Sequence, residues 1–254
     1  MITALPRLAI GHEFWLDPAA YQVEKGERVQ VSMRNGEAFE GFELAYFSTR
    51  STRFDQVMGD GLEAIEARPG DLPAFDRVVD QSGLLILAHE TAAASITYKE
   101  WEKFAAFAKH KDFPDITARH EARGLARDGF SESYTRHVKT LVGVGDARGA
   151  DRALGLRTEF VALANPYTDD LTALPVQLLL DGAPRVDAQV EIFDRAPDGT
   201  VTITLQRTDD DGQTTIPVTQ GHSYLLDAVV LAEASEEDKA VWSTFWAALT
   251  FAIP

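Results

Sequence analysis

Short runs in which apolar and polar residues alternate dominate this chain, and they predict strands. Tyr21 to Met33 alternates about a Lys25-Gly26 turn and reads as strand, turn, strand; further runs follow at Phe42–Phe47, Arg53–Val57, Phe75–Val79 and Leu84–His89, divided by Gly, Asp and Pro clusters. The period then changes. Tyr98, Trp101, Phe104, Ala105 and Ala108 recur at helical spacing behind Thr97-Tyr98-Lys99-Glu100, which has the form of a capping box, and Lys109, His110 and Lys111 fall in the last turn before Pro114. A second, more polar helix is predicted over Asp115–Ala126. Alternation returns at Tyr134–Val144 and continues through Val176–Leu180, Ala188–Phe193, Thr200–Arg207, Gln213–Val218, Tyr224–Leu231 and Ala247–Phe251. The expected fold is therefore mainly β, with two β-sandwich domains and a short helical insertion at about residues 97–128 of the first.

The stretch from Gly145 to Asp151 is polar and rich in Gly and Ala, so the domain boundary is expected between residues 146 and 165, giving domains 1–150 and 151–254. Between two of the later strands, Asp209-Asp210-Asp211-Gly212 predicts a hairpin tip. Charge separates the two parts. Residues 166–254 hold 15 acidic and 4 basic side chains, leaving 25 and 20 for residues 1–165, within a formal net charge of -16. Such a surface repels a phosphate backbone, so nucleic acid is not an expected partner. No apolar run is long enough to span a membrane, and the first ten residues are too short and too interrupted by Arg7 to act as a signal peptide, so direct membrane insertion is not expected.

The absence of cysteine leaves histidine and carboxylate as the available metal donors, a set that suits nickel, cobalt, copper or zinc. His12-Glu13 and His89-Glu90 repeat one dipeptide at strand ends, and His222 lies in a Gly221-His222-Ser223 turn; His12, His89 and His222, with Glu13 or Glu90 as a fourth donor, are the candidate metal ligands. His110 and His120 sit among Lys and Arg on helices and read as solvated, while His137 reads as packed or surface. The Asp triplet lacks the spacing of a calcium loop. Trp242, Phe245, Trp246 and Phe251 read as core or an interdomain seam. No nucleophile elbow, phosphate loop or dinucleotide fingerprint is present, so an enzyme is not expected.

Four separated motifs resemble the DUF4198 family of exported bacterial proteins, historically linked to periplasmic components of cobalt and nickel uptake: His12-Glu13-Phe14-Trp15-Leu16-Asp17-Pro18, the run Tyr134–Gly145, Leu154-Gly155-Leu156 followed by Asn165-Pro166-Tyr167, and Trp242–Phe251. The C-terminal part is also similar to the immunoglobulin-like modules known as carboxypeptidase regulatory domains, through Gly182-Ala183-Pro184, Thr208-Asp209 with Gly212, and Gly221 ahead of Tyr224. The resemblance implies a periplasmic protein that binds or delivers nickel or cobalt, with a membrane transport component as partner. In relatives the His of the H-E-F-W run lies near the signal-peptidase cut, so His12 is implied as a terminal chelator. The alternative is a non-enzymatic scaffold module that docks a partner protein or glycan.

Overall fold

The computed structural model describes residues 12–235 and 238–254, and it is mainly β, with 51% of residues in strands and 8% helical. In chain order the strands are β1 (Glu13–Pro18), β2 (Gln22–Val23), β3 (Arg28–Glu37), β4 (Glu40–Leu44), β5 (Ser51–Met58), β6 (Gly61–Ala64), β7 (Phe75–Val78), β8 (Gly83–Thr91) and β9 (Ala94–Tyr98). Two helices follow, α1 (Trp101–His110) and α2 (Ile116–Ala122), and then β10 (Phe130–Val144) and β11 (Thr158–Ala162). The remainder is β12 (Ala173–Leu180), β13 (Ala183–Pro184), β14 (Gln189–Arg195), β15 (Val201–Arg207), β16 (Gln213–Pro217), β17 (Ser223–Glu233) and β18 (Trp242–Ala252).

A ten-stranded sheet forms the middle of the molecule, in the order β15-β14-β17-β18-β10-β8-β5-β6, with β2 and β9 also pairing with β10. Because β10 and β18 run parallel in register from Glu132↔Trp242 to Thr140↔Thr250, one sheet crosses the expected boundary at residues 146–165. Side chains of a strand alternate between faces, and β18 shows the consequence. Its Trp242, Trp246 and Ala248 face one side, and its Ala247, Leu249 and Phe251 the other.

The first side is covered by two neighbours. A sheet of β1-β3-β4, with β7 on β3, buries Trp15, Val31 and Phe75 against Leu85, Val138 and Val142. Beside it, α1 and α2 bury Phe104, Phe107 and Ile116 against Val229, Leu231, Trp242 and Trp246. The opposite side carries a third sheet, β11-β12-β13 with β16 on β12, whose Phe160, Val176, Leu178 and Ile216 meet Leu141, Leu226, Leu249 and Phe251.

Several local expectations need correcting. Tyr98 belongs to β9 rather than to the helix, which begins at Trp101 behind Glu100 with no side-chain cap; its ring still packs on Phe104 and Phe130, which is why its spacing looked helical. The runs on either side of Lys25-Gly26 do not pair with each other, since β2 joins β10 and β3 joins β1. Nor does the Asp209–Gly212 turn close a hairpin. β15 pairs with β14 in the central sheet and β16 with β12 in the third, so the turn carries the chain from one layer to the other. Asp209 Oδ1 accepts from the backbone N–H of Asp211 and of Gln213, and Gly212 has φ +68°, where a Cβ would lie 2.8 Å from Arg185 N.

Candidate functional site

β1 enters the core beside β10 and β18 with Glu13 only 4% exposed. Glu191 on β14 and Asp227 on β17 arrive at the same point, each a buried carboxylate flanked on both sides by apolar residues of its strand. The three offer oxygens within 4.8 Å of one another. Lys111, the residue after α1, projects its ammonium among them and donates to Glu191 Oε2, to Asp227 Oδ2 at 2.9 Å and to Glu13 Oε1 at 3.4 Å, while lying 4.9 Å from the centroid of the Trp246 ring. His110 Nε2 lies 2.7 Å from the other oxygen of Glu191.

Burial works against every charge here, and the balance differs from group to group. Glu13 is pushed up to about 7, chiefly by burial, with Asp227 and Glu191 adding to Lys111's failure to offset it. Asp227 is raised for the same first reason. Glu191 stays below the usual carboxylate range because His110 and Lys111 outweigh its burial. Lys111 is held above the ordinary lysine range: burial opposes its charge, and Asp227, Glu191 and Glu13 overcome that. The donor set does not match a nickel or cobalt centre, since it lacks a histidine ligand and an ammonium already occupies its middle.

The other sequence-predicted residues are not brought to this point. His12 is exposed and lies 3.7 Å from Glu37. His89 on β8 is buried, packs against the rings of Phe14 and Phe54, and bonds Ser51 Oγ through Nε2 at 2.8 Å. His222, before β17, bonds Asp194 at 2.6 Å. Three strand spacings separate β8 from β17, about 14 Å, whereas ligands of one metal lie roughly 4 Å apart. Glu90 accepts from Thr52 Oγ1 and sits 4.0 Å from His137, which is buried, the first of the two placements expected for it. His120 corrects the solvated reading. It is fully buried, and its Nδ1 accepts from Trp242 Nε1 at 3.0 Å, so its Nε2 carries the proton given to the carbonyl of Ala126. Of the aromatics read as core or an interdomain seam, Trp242, Trp246 and Phe251 are core, while Phe245 is half-buried with the Arg157 guanidinium over its ring.

Next to the ionic cluster a groove of about 450 Å³ opens between the β1-β3-β4 sheet and the central sheet. Its walls include Phe14, Leu44 and Tyr134, and Phe42 and Phe47 on its rim are 61% and 40% exposed. His89 lines it as a neutral imidazole, its pKa pushed down to about 3 by burial, with Nδ1 lacking a partner. Arg136 lines it too. This guanidinium is 8% exposed, lies over the Tyr134 and Trp246 rings, donates to the carbonyl of His12 at 2.6 Å and leaves its Nε unbonded. Among the described residues it makes no direct ion pair, although the buried carboxylates of Glu13, Glu132 and Asp227 lie near enough to favour its charge. Burial lowers its pKa from the ordinary arginine value.

The model of a domain of unknown function, DUF4198, matches residues 9–232. The chain belongs to the DUF4198 family. That match takes in β1 with Glu13, both helices, and the strands that carry Arg136, Glu191 and Asp227, so the ionic cluster and the groove both lie inside the family's domain. No curated protein matches the chain. Two solved structures overlap it at low similarity. The D0-D1 domain of intimin is 10% identical, covering 93% of this chain and 97% of that one, with a TM-score of 0.22. A tetra-tandem repeat from the extending region of a large adhesion protein is 11% identical, covering 94% of this chain and 50% of that one, with a TM-score of 0.21. Such scores do not carry an arrangement over from either structure.

Sequence reasoning reached Glu13 but missed Lys111, Glu191, Asp227 and Arg136. A usable signal was present in Leu225-Leu226-Asp227-Ala228-Val229 and Val190-Glu191-Ile192-Phe193, where one acid interrupts a run that is otherwise apolar. A buried strand tolerates such an acid only with a partner.

Proposed function

We propose that the protein is a non-enzymatic, extracytoplasmic binding module built on three packed sheets, and that its groove takes a ligand with an apolar body and an anionic tip. One observation carries this reading. In a chain with 40 acidic residues, the groove is lined by no Asp or Glu, yet it holds Arg136 without a direct ion-pair partner and Arg50 at its rim. A buried guanidinium that makes no direct ion pair and has Nε unbonded favours an incoming anion, because part of the desolvation cost has already been met by the fold. Phe42 and Phe47 supply exposed aromatic surface for the apolar body. Placement outside the cytoplasm is supported by the family resemblance; no described helix is long and apolar enough to cross a membrane.

The test uses phenylpropionate and its uncharged counterpart phenylpropanol as probes, with calorimetry as the readout. Phenylpropionate is expected to bind at least about tenfold more tightly than the alcohol, a difference of about 1.4 kcal/mol, and Arg136→Gln is expected to remove that preference while Phe42→Ala weakens both probes. Equal binding of the two probes, or no binding of either by folded protein, overturns the reading. Nickel and cobalt belong in the same series. Retention of either ion by the wild type and its loss on replacing His12 or Glu13, without any response to phenylpropionate, would replace this function with metal delivery.

A further inference from the structure

A second buried charge cluster lies on the opposite side of the central sheet and is independent of the groove. Lys139 on β10 points toward the third sheet with its side chain 1% exposed. Its ammonium lies 2.6 Å from Asp151 Oδ1, on a carboxylate that is fully buried, and 3.8 Å from Glu159 Oε2 on β11, which is 2% exposed. It also donates to the carbonyls of Arg152 and Phe160. The Asp151 carboxylate is held by the backbone N–H of Arg152 on Oδ1 and of Ala162 on Oδ2, both at 2.8 Å. Glu159 is fixed by the backbone N–H groups of Leu154 and Gly155.

We infer that Lys139 and Asp151 form an intramolecular amide cross-link, with Glu159 positioned to relay the proton. The chemistry needs an amine and a carboxyl group in van der Waals contact, a donor for the developing oxyanion and a group that moves protons, all shielded from water. Each is present. Glu159 takes one proton from the Lys139 ammonium, and the freed Nζ attacks Cγ of Asp151. The charge that develops on Oδ2 faces the Ala162 N–H. Oδ1 then leaves as water, carrying the proton returned by Glu159 and a second from Nζ, so one N–H remains on the new amide. Ammonium plus carboxylate becomes amide plus water, and Glu159 ends as it began. No oxidant, cofactor or second substrate enters.

The energetics run the same way. A buried ion pair loses much of its attraction to desolvation, and replacing it with a neutral, hydrogen-bonded amide removes that cost. The bond would also tie the 145–157 loop to β10, so the loop carries a short covalent ring in the folded and unfolded chain alike. The cluster around Lys111 differs on the decisive point. There the ammonium is divided among three carboxylates, whereas Lys139 faces one carboxylate at bonding distance with a second set back from it.

Intact-mass spectrometry of the whole, denatured protein reads the result directly. The wild type is expected to be lighter than its sequence by one water, and Lys139→Arg and Glu159→Gln are expected to restore the full mass. After trypsin, the wild-type peptides 137–148 and 149–152 are expected to stay joined even when the chain is cut after Arg148. Folded wild-type protein at full mass overturns the inference whatever the variants do, and so does a lost water that maps to Lys111. Circular dichroism of Glu159→Gln establishes that its full mass belongs to a folded chain.

Discussion

Glu13 shows how little a residue's neighbours in sequence say about its charge. Beside His12 it looks like a donor for a metal; in the fold its carboxylate turns away from that histidine toward Lys111, Glu191 and Asp227. Its pKa, pushed up to about 7 from 4.5, means that the folded state binds more protons than the unfolded one between those values. Stability contributed by this group is therefore present below about pH 4.5 and is lost as pH rises through 7. Glu13→Gln removes the titration while keeping a hydrogen-bonding side chain. Urea unfolding at about pH 5 and about pH 8 is expected to show the wild type losing up to about 3 kcal/mol more than the variant across that interval. An identical loss in the two proteins would place the titration elsewhere. His120 makes the same point: Lys and Arg neighbours in sequence, but Trp242 and the Ala126 carbonyl in space.

At the scale of elements, the period of the apolar residues was a sound guide to what each segment becomes and a poor guide to what it pairs with. α1 forms where Trp101, Phe104 and Ala108 recur, and its buried face is Phe104, Phe107 and Ala108. Phe104 is fully buried among Tyr98, Phe130, His120 and Trp242 rings. Phe104→Ala is expected to cost roughly 3–5 kcal/mol in denaturant unfolding, as a large ring leaving a close-packed core does. Phe104 does not itself line the groove, so phenylpropionate affinity of the folded variant should change far less than stability does. The turn at Asp209–Gly212 was legible as a turn. Its pairing was not, since the same residues can close a hairpin or pass between sheets, and the choice falls to the strands already in place on each side.

For the whole molecule, the consequential contact is the parallel pairing of β10 with β18, which builds residues from both sides of the 146–165 stretch into one sheet. Cutting there would expose the buried edge of β10 on one fragment and a strand as apolar as Trp242–Ala252 on the other. Fragments 1–150 and 151–254 expressed alone are accordingly expected to lack cooperative unfolding by circular dichroism and to regain it when mixed. Two fragments that each unfold cooperatively would show that the shared sheet contributes little to stability.

The sequence by itself determined the strand-rich class, the place of both helices, the family and the exclusion of cysteine chemistry. All of these follow from local period, composition or motif, which the chain carries wherever it folds. Only the tertiary structure decided which strands share a sheet, which acids surround Lys111, which lysine meets Asp151 and why Arg136 makes no direct ion pair. Those depend on pairings the local pattern does not encode, several between residues far apart in sequence, such as Lys111 with Asp227 or Arg136 with the carbonyl of His12. The alternation of side chains tells which residues share a face of one strand, and the partner that face meets is set by loop closure and burial across the whole chain.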